Sequence, residues 1–309
     1  MTITGKKNHK VAYIIPTKDR PKDLRRLLNS LAMQTRPIDQ IIVVDGSDNE
    51  ISQVIGEYKR LKIDYVRTRP PGLTRQRNAG IRALRPDITL AGYLDDDLVL
   101  EKQATEKMLE FWNNASAEVG GASFNVVNNI PNRLNWFTKL FGMNQGRQGV
   151  ILTSGFCTVL YPVNGDTRVE WLCGGATVWK KEVVDEFKYD EWFLGCSYYE
   201  DLDYSFRVNQ KYVLMVTAQA KVQHLTVPIE GEKGYQLAKA NLINRFYLIK
   251  KHSYFSILSF YWATLGQLLA NLGFSVIKRN RDNWLRARGI VSGIWCIISG
   301  NIKKRDFNK

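Results

Sequence analysis

Three consecutive carboxylates, Asp95, Asp96 and Asp97, end the apolar run Ile88-Thr-Leu-Ala-Gly-Tyr-Leu94. Bunched carboxylates repel one another, and their hard oxygens suit Mg²⁺ or Mn²⁺ carried in on a phosphate-bearing substrate. Read alone, the triplet is equally an acidic turn after a strand. A second acidic group, Glu200, Asp201 and Asp203, precedes an apolar-periodic stretch, where carboxylates also serve to cap a helix. Arg75 and Arg77 open a predicted helix after Pro70-Pro-Gly72. Positive charge is unfavourable there, and an anion bound nearby would offset the cost.

The elements that must position these groups alternate. Val11–Ile15 and Gln40–Asp45 have the pattern of buried parallel strands, and Leu24, Leu27, Leu28, Leu31 and Ala32 form one face of the helix between them. A helix near Glu50–Arg60, a strand Ile63–Val66, a helix Thr74–Leu84 and the strand into Asp95 continue the order, which predicts an α/β sheet. Ligands of such sheets sit at the carboxyl ends of strands. Three polar groups fall at those ends: Pro16-Thr-Lys-Asp-Arg-Pro21, Asp45-Gly-Ser-Asp48 and Asp95–Asp97. Neither GxGxxG nor GxxxxGK[ST] occurs, which weakens dinucleotide oxidoreductase and P-loop readings. Further on, strand-like pieces are expected near Val150–Leu160 and Val213–Val216.

The composition bounds the class. With 309 residues, 44% hydrophobic and 24% charged, the chain can hold one large domain with a core, or a domain plus an appendage. Four cysteines and three histidines show neither CxxC nor zinc spacing, so reduced thiols in a cytosolic setting are expected. The N-terminal ten residues lack the apolar core of a signal peptide. Of the net charge of +14, nine units fall from Lys250 onward, where eleven Lys and Arg face two Asp. Residues 253–277 carry no charge, and their Ser, Thr, Asn and Gln gather on one helical side opposite Leu258, Tyr261, Trp262, Leu265, Leu268, Leu269, Leu272 and Val276. This is the pattern of an amphipathic helix for an anionic bilayer surface, with a helical pair packed on the catalytic domain, an oligomer interface or a spanning anchor as alternatives. Gly289 and Gly293 in the next apolar stretch would let it pack closely on that helix.

Taken in order, Pro16-Thr17, Asp45, Arg77-Asn78, Asp95-Asp96-Asp97 and Glu200-Asp201 resemble the successive stations of a family 2 glycosyltransferase of the GT-A fold, over roughly residues 10–230. The resemblance implies a Rossmann-like nucleotide-binding sheet in a catalytic domain of residues 1–240, with residues 10–100 as the nucleotide half and 101–240 as the acceptor half. Residues 241–309 would form a basic, helical, membrane-associating extension, similar to that of bacterial enzymes acting on lipid-linked glycans.

The implied roles are specific. Pro16, Thr17, Asp19 and Asp45 would hold the nucleoside, with Asp45 on a uracil or thymine base; Arg77 and Asn78 would lie by the nucleotide. Asp97 would ligate Mg²⁺ or Mn²⁺, with Asp95 and Asp96 on ribose and metal-bound water, Asp95 standing also as a ligand, and His224 near the metal or diphosphate. Asp201, supported by Glu200, would be the general base of an inverting displacement. Gly174 and Gly175 would let backbone approach the donor sugar, and Trp192 would offer it a flat face. The expected partners are a UDP- or dTDP-sugar, a glycan or lipid-linked glycan acceptor and the inner face of the membrane, with self-association through the C-terminal helices. A sugar-phosphate nucleotidyltransferase is the rival enzyme, disfavoured because Ile15-Pro-Thr-Lys-Asp-Arg20 replaces its glycine-rich loop. A nucleic-acid-binding protein is disfavoured because the basic residues flank apolar faces rather than a recognisable module.

Overall fold

A computed structural model of the chain describes residues 8–130, 135–193, 198–225 and 229–302. It divides into two compact units: Met1–Ile130 with Leu160–Asp190 and Tyr204–Thr226, and Pro131–Val159 with Glu191–Asp203 and Val227–Lys309.

The first unit holds nine strands among the described residues: β1 Val11–Thr17, β2 Gln40–Asp45, β3 Ile63–Arg67, β4 Leu90–Leu94, β5 Leu98–Leu100, β6 Val119–Val126, β7 Thr167–Val169, β8 Ala176–Lys180 and β9 Val213–His224. They form one sheet in the order β3-β2-β1-β4-β8-β6-β9-β5, with β7 also on β9. The first four are mutually parallel, as the alternating sequence requires, and β8 then runs antiparallel to both β4 and β6. Helices α1 (Pro21–Ala32), α2 (Ser52–Gly56), α3 (Leu73–Arg82), α4 (Ala104–Asn114) and α6 (Lys181–Glu186) belong to this unit.

Strand alternation divides the core. Tyr13, Ile15, Ile41, Val43 and Leu90 pack with Leu24, Leu27, Leu28 and Leu31 of α1 and Met108 and Trp112 of α4. Ile14, Ile42, Val44, Ala91 and Tyr93 point to the opposite face, against Ala79 and Ile81 of α3 and Val183 and Val184 of α6. Helices thus cover both faces of the sheet, and β1, β2 and β4 are buried along their whole length, which explains their unbroken apolar runs. The helix expected over Glu50–Arg60 shrinks to the five residues of α2, because only Val54 there is buried in the helix and too little apolar surface supports a longer one. The strand expected near Val150–Leu160 is a single bridge between Ile151 and Cys157, whereas the piece at Val213 extends to His224.

The second unit is helical: α5 (Trp136–Leu140), α8 (Gly231–Lys251), α9 (Ile257–Ile277) and α10 (Arg281–Ile298), together with the first residues of α7 (Glu200–Asn209). The expected boundary at residue 240 falls in the middle of α8, a helix whose mixed polar pattern conceals its 21-residue length. Gly289 and Gly293 do permit a close approach, but to α8 rather than α9: a Cβ at 289 would collide with the Tyr235 carbonyl oxygen, and one at 293 would come within 3.0 Å of Leu242. Ser256 caps α9 by accepting from the Ser259 amide. The inward side of α9 carries Phe260, Ala263, Thr264 and Gly266, while Leu258, Tyr261, Trp262, Leu265, Leu269 and Val276 are exposed. Arg245 of α8 is fully enclosed, with its guanidinium 4.0 Å from the Phe156 ring centroid and 5.0 Å from that of Phe260, and it donates to Thr264 Oγ1 at 2.7 Å.

Candidate active site

Strand register builds the acidic site in the first unit. Thr17 and Asp45 are partners at the ends of β1 and β2, and β4 lies on the other side of β1. Asp95–Asp97 therefore emerge beside Thr17. Leu98 pairs with His224 across β5 and β9, and the Leu225 amide donates to the Asp97 carbonyl at 2.9 Å, so Asp97 and His224 meet although 127 positions separate them. Leu94 pairs with Ala176, which sets Gly175 opposite Asp95; the Asp95 amide donates to the Gly175 carbonyl at 2.8 Å.

The three carboxylates have different tasks. Asp96 is buried, accepting from Thr17 Oγ1 at 2.7 Å and pairing with Arg20 Nη1 at 2.7 Å. Burial outweighs Thr17 and Arg20 and pushes the Asp96 carboxyl up to about 7. A carboxylate so engaged supports β1 and the start of α1. Asp97 accepts from Arg20 Nη2 at 3.0 Å through Oδ2, and its Oδ1 lies 3.0 Å from His224 Nε2. Burial acts most strongly on Asp97 and raises it, but His224 and Arg20 together hold it below the usual carboxylate range. Burial opposes charge on His224, yet Asp97 and Asp95 raise it above its ordinary value. Asp95 pairs with Arg77 Nη2 at 3.2 Å.

Ligand atoms of Asp95, Asp97 and His224 all lie within 4.8 Å of one another. Asp97 Oδ1 is buried and has no donor in good hydrogen-bond geometry, its near neighbour being His224 Nε2 at 3.0 Å, so the two atoms could share a cation. Two carboxylates and an imidazole fit a divalent cation, Mn²⁺ more readily than Mg²⁺ because of the nitrogen.

The remaining expected residues distribute as follows. Pro16 lies in β1 opposite Val44. Asp19 has a positive φ of 54°, its amide donates to Ser47 Oγ and its Oδ1 accepts from the Asp48 amide, tying together the loops after β1 and β2. Asp45 is fully buried; it accepts from the Ser47 amide at 2.7 Å and from Tyr65 Oη at 2.5 Å. Burial and Asp45 push the Tyr65 hydroxyl up to about 12. Arg77 is 1% exposed, between the Asp95 carboxylate and the rings of Tyr93 and Tyr189. Asn78 donates to the Tyr189 carbonyl and accepts from the Tyr189 amide, a bracket that ties α3 to that segment.

Gly174 and Gly175 are tightly enclosed. A Cβ at 174 would come within 2.6 Å of Arg77 Nη1, and one at 175 would overlap the Asp95 carboxylate. The glycines make room for the Arg77–Asp95 pair. Arg20, Gln76 and Tyr65 join the site without having been singled out from sequence. Gln76 donates to the carbonyls of both Thr17 and Val44, at 2.9 and 2.7 Å, and so joins the ends of β1 and β2. The polar group at residues 16–21 contained the signal for Arg20, but of its three carboxylate partners only Asp23 is local, while Asp96 and Asp97 are 76 and 77 positions away.

In the second unit, Glu200 and Asp201 open α7. Glu200 is buried, whereas Asp201 is half-buried and its Oδ1 accepts from the Leu202 amide at 2.8 Å. Trp192 stacks on Tyr247 with centroids 3.7 Å apart and planes 9° from parallel, so one of its two faces is occupied by protein.

Comparison with known proteins gives a family and a fold. The family described as "Glycosyl transferase family 2" matches residues 13–161. No curated protein matches by sequence. Among solved structures, S. aureus TarS is similar with a TM-score of 0.52 at 14% identity, over 90% of this chain and 55% of that one. The structure of S. aureus TarS 1–349 gives 0.52 at 14% over 94% and 92%, and the same fragment in complex with UDP gives 0.51 at 14% over 94% and 92%. At this identity the likeness speaks for the fold.

Proposed function

We propose, from the premise that residues 13–161 belong to glycosyl transferase family 2, that this chain moves a sugar from a nucleoside-diphosphate donor to a hydroxyl of a glycan acceptor with inversion. The observation that carries the reading is the cluster of Asp95, Asp97 and His224 at the carboxyl ends of the strands, beside the enclosed Arg77. UDP- and dTDP-sugars are the donors to test first, since a structural neighbour was solved with UDP and Asp45, at the end of β2, resembles the family's pyrimidine contact.

Asp97, His224 and Asp95 would hold Mn²⁺ or Mg²⁺, which when bound supplies Lewis-acid neutralisation of the diphosphate. Arg77 contributes fixed positive charge toward the departing nucleoside diphosphate; the rings of Tyr93 and Tyr189 and the absent side chain of Gly174 hold it without slack. Asp45, locked by Ser47 and Tyr65, keeps the β2 end fixed for the base. Asp201, with Glu200 in support, takes the proton of the acceptor hydroxyl as its oxygen bonds to the anomeric carbon. The anomeric bond to the diphosphate breaks in the same displacement.

The acceptor reading is a lipid-linked or membrane-bound glycan in cell-surface polysaccharide synthesis, approached from the cytoplasmic face. Its support is α9: long and apolar enough to cross a membrane by length and composition, only 22% buried in its most apolar window, with Lys278, Arg279 and Arg281 following it. With Thr264 turned inward and Leu258, Leu265 and Leu269 outward, the helix suits the plane of an anionic bilayer. Self-association through the same face is the competing use. A donor screen with Mn²⁺ or Mg²⁺, repeated with chelator, tests the enzymatic core. Metal-dependent release of nucleoside diphosphate from one sugar nucleotide is expected; release of pyrophosphate from a sugar phosphate and nucleoside triphosphate would overturn it.

A further inference from the structure

The segment that carries Glu200 and Asp201 is held, within its own unit, by one helix far along the chain. Asn244, Tyr247 and Lys251 lie on one side of α8 at the spacing i, i+3, i+7. Asn244 Nδ2 donates to the Tyr198 carbonyl at 3.0 Å, and Tyr247 stacks on Trp192. Arg245 interacts with the Tyr199 side chain. Tyr199 has a φ of 78°, a left-handed conformation that a bulky residue adopts only when its surroundings impose it.

The strongest tie is at Asp203, which is 0% exposed in the first turn of α7. Lys251 Nζ lies 2.9 Å from its Oδ1 and 3.0 Å from its Oδ2, and His252 Nε2 lies 2.7 Å from Oδ1. The Asp203 amide in turn donates to the Tyr199 carbonyl at 2.9 Å. A carboxylate so deep is tolerable only while its partners stay in place, so this group fixes the first turn of α7 in one position.

We propose that Lys251 and His252 are positioning residues for transfer: through Asp203 they hold the Asp201 carboxylate where it can receive the acceptor proton. This rests on the reading of Asp201 as base. It gives the α8 terminus, ninety residues beyond the part that matches the family, a place in catalysis. A shift of about 1 Å in a reacting group costs up to about a hundredfold in rate, so loss of the clamp is felt in turnover.

The test is a double-mutant cycle on the full chain. His252→Ala and, separately, Lys251→Met should each lower kcat by about 10- to 100-fold, with the donor KM and UDP binding by calorimetry unchanged. In an Asp201→Asn background the same substitutions should cost less than about threefold, because the group being positioned is gone. His252→Gln, which keeps a donor, should recover part of the loss. An undiminished kcat in both single variants, or an equal loss in both backgrounds, overturns the proposal. Loss of UDP binding together with kcat also overturns it, since it signals general structural damage. Wild-type transfer by Asp201→Asn alone would remove the base assignment itself, a failure distinct from the others.

Discussion

Asp97 Oδ1 and His224 Nε2 lie 3.0 Å apart because the three-residue strand β5 pairs Leu98 with His224. On the proposed reading the two atoms share a cation, with Asp95 as the third ligand. Asp97→Ala should therefore abolish the Mn²⁺-stimulated part of donor binding, read by calorimetry with and without chelator. His224→Asn should weaken Mn²⁺ by about 10- to 100-fold, the scale of lost ligand support. Unchanged thermal unfolding without metal would confirm that the fold is retained.

The same pair gives a pH dependence with a definite sign. Asp97 and Asp95 raise His224 above its ordinary value, so the proton that Mn²⁺ must displace is held to higher pH than on a free imidazole. Mn²⁺ affinity should fall as pH drops through the raised His224 value and level off above it. In His224→Asn that slope should flatten; an equal slope in both proteins would assign the proton elsewhere.

At Gly175, an added methyl would overlap the Asp95 carboxylate. Gly175→Ala should push Asp95 from Arg77, weakening donor binding at least tenfold and destabilising the chain by about 1–3 kcal/mol through overpacking. Donor titration and chemical denaturation measure the two effects separately.

For the C-terminal helices, Leu265→Glu with Leu269→Glu places two charges on the exposed side of α9. Flotation with anionic vesicles should drop at least tenfold, while transfer to a water-soluble acceptor fragment stays unchanged. Loss of a sedimenting oligomer without any change in flotation would favour self-association instead.

The ends of β1, β2 and β4 were legible in sequence because buried parallel strands read as unbroken apolar runs and their polar terminators stand out. His224 was legible as a position, but its partner was not, since strand register across more than a hundred residues leaves no local trace. Asn78 and the glycines at 174 and 175 show a different limit. The glycines announce a close approach and Asn78 a place by the nucleotide, but the groups these residues meet, Arg77, Asp95 and Tyr189, come from distant segments. Helix α8 stayed hidden because its buried residues include Asn244 and Arg245, whose partners lie in other segments and interrupt any simple apolar stripe.

Strand β5 has three residues, lies at the end of the sheet order and, among the described residues, pairs with β9 alone. A cation gripped by Asp97 on one side of that junction and His224 on the other would act as a rivet through a seam only three residues long. Occupancy of the site should then be visible as slowed amide hydrogen exchange at Leu98–Leu100, so this short edge would report, in its own backbone, whether the enzyme is loaded.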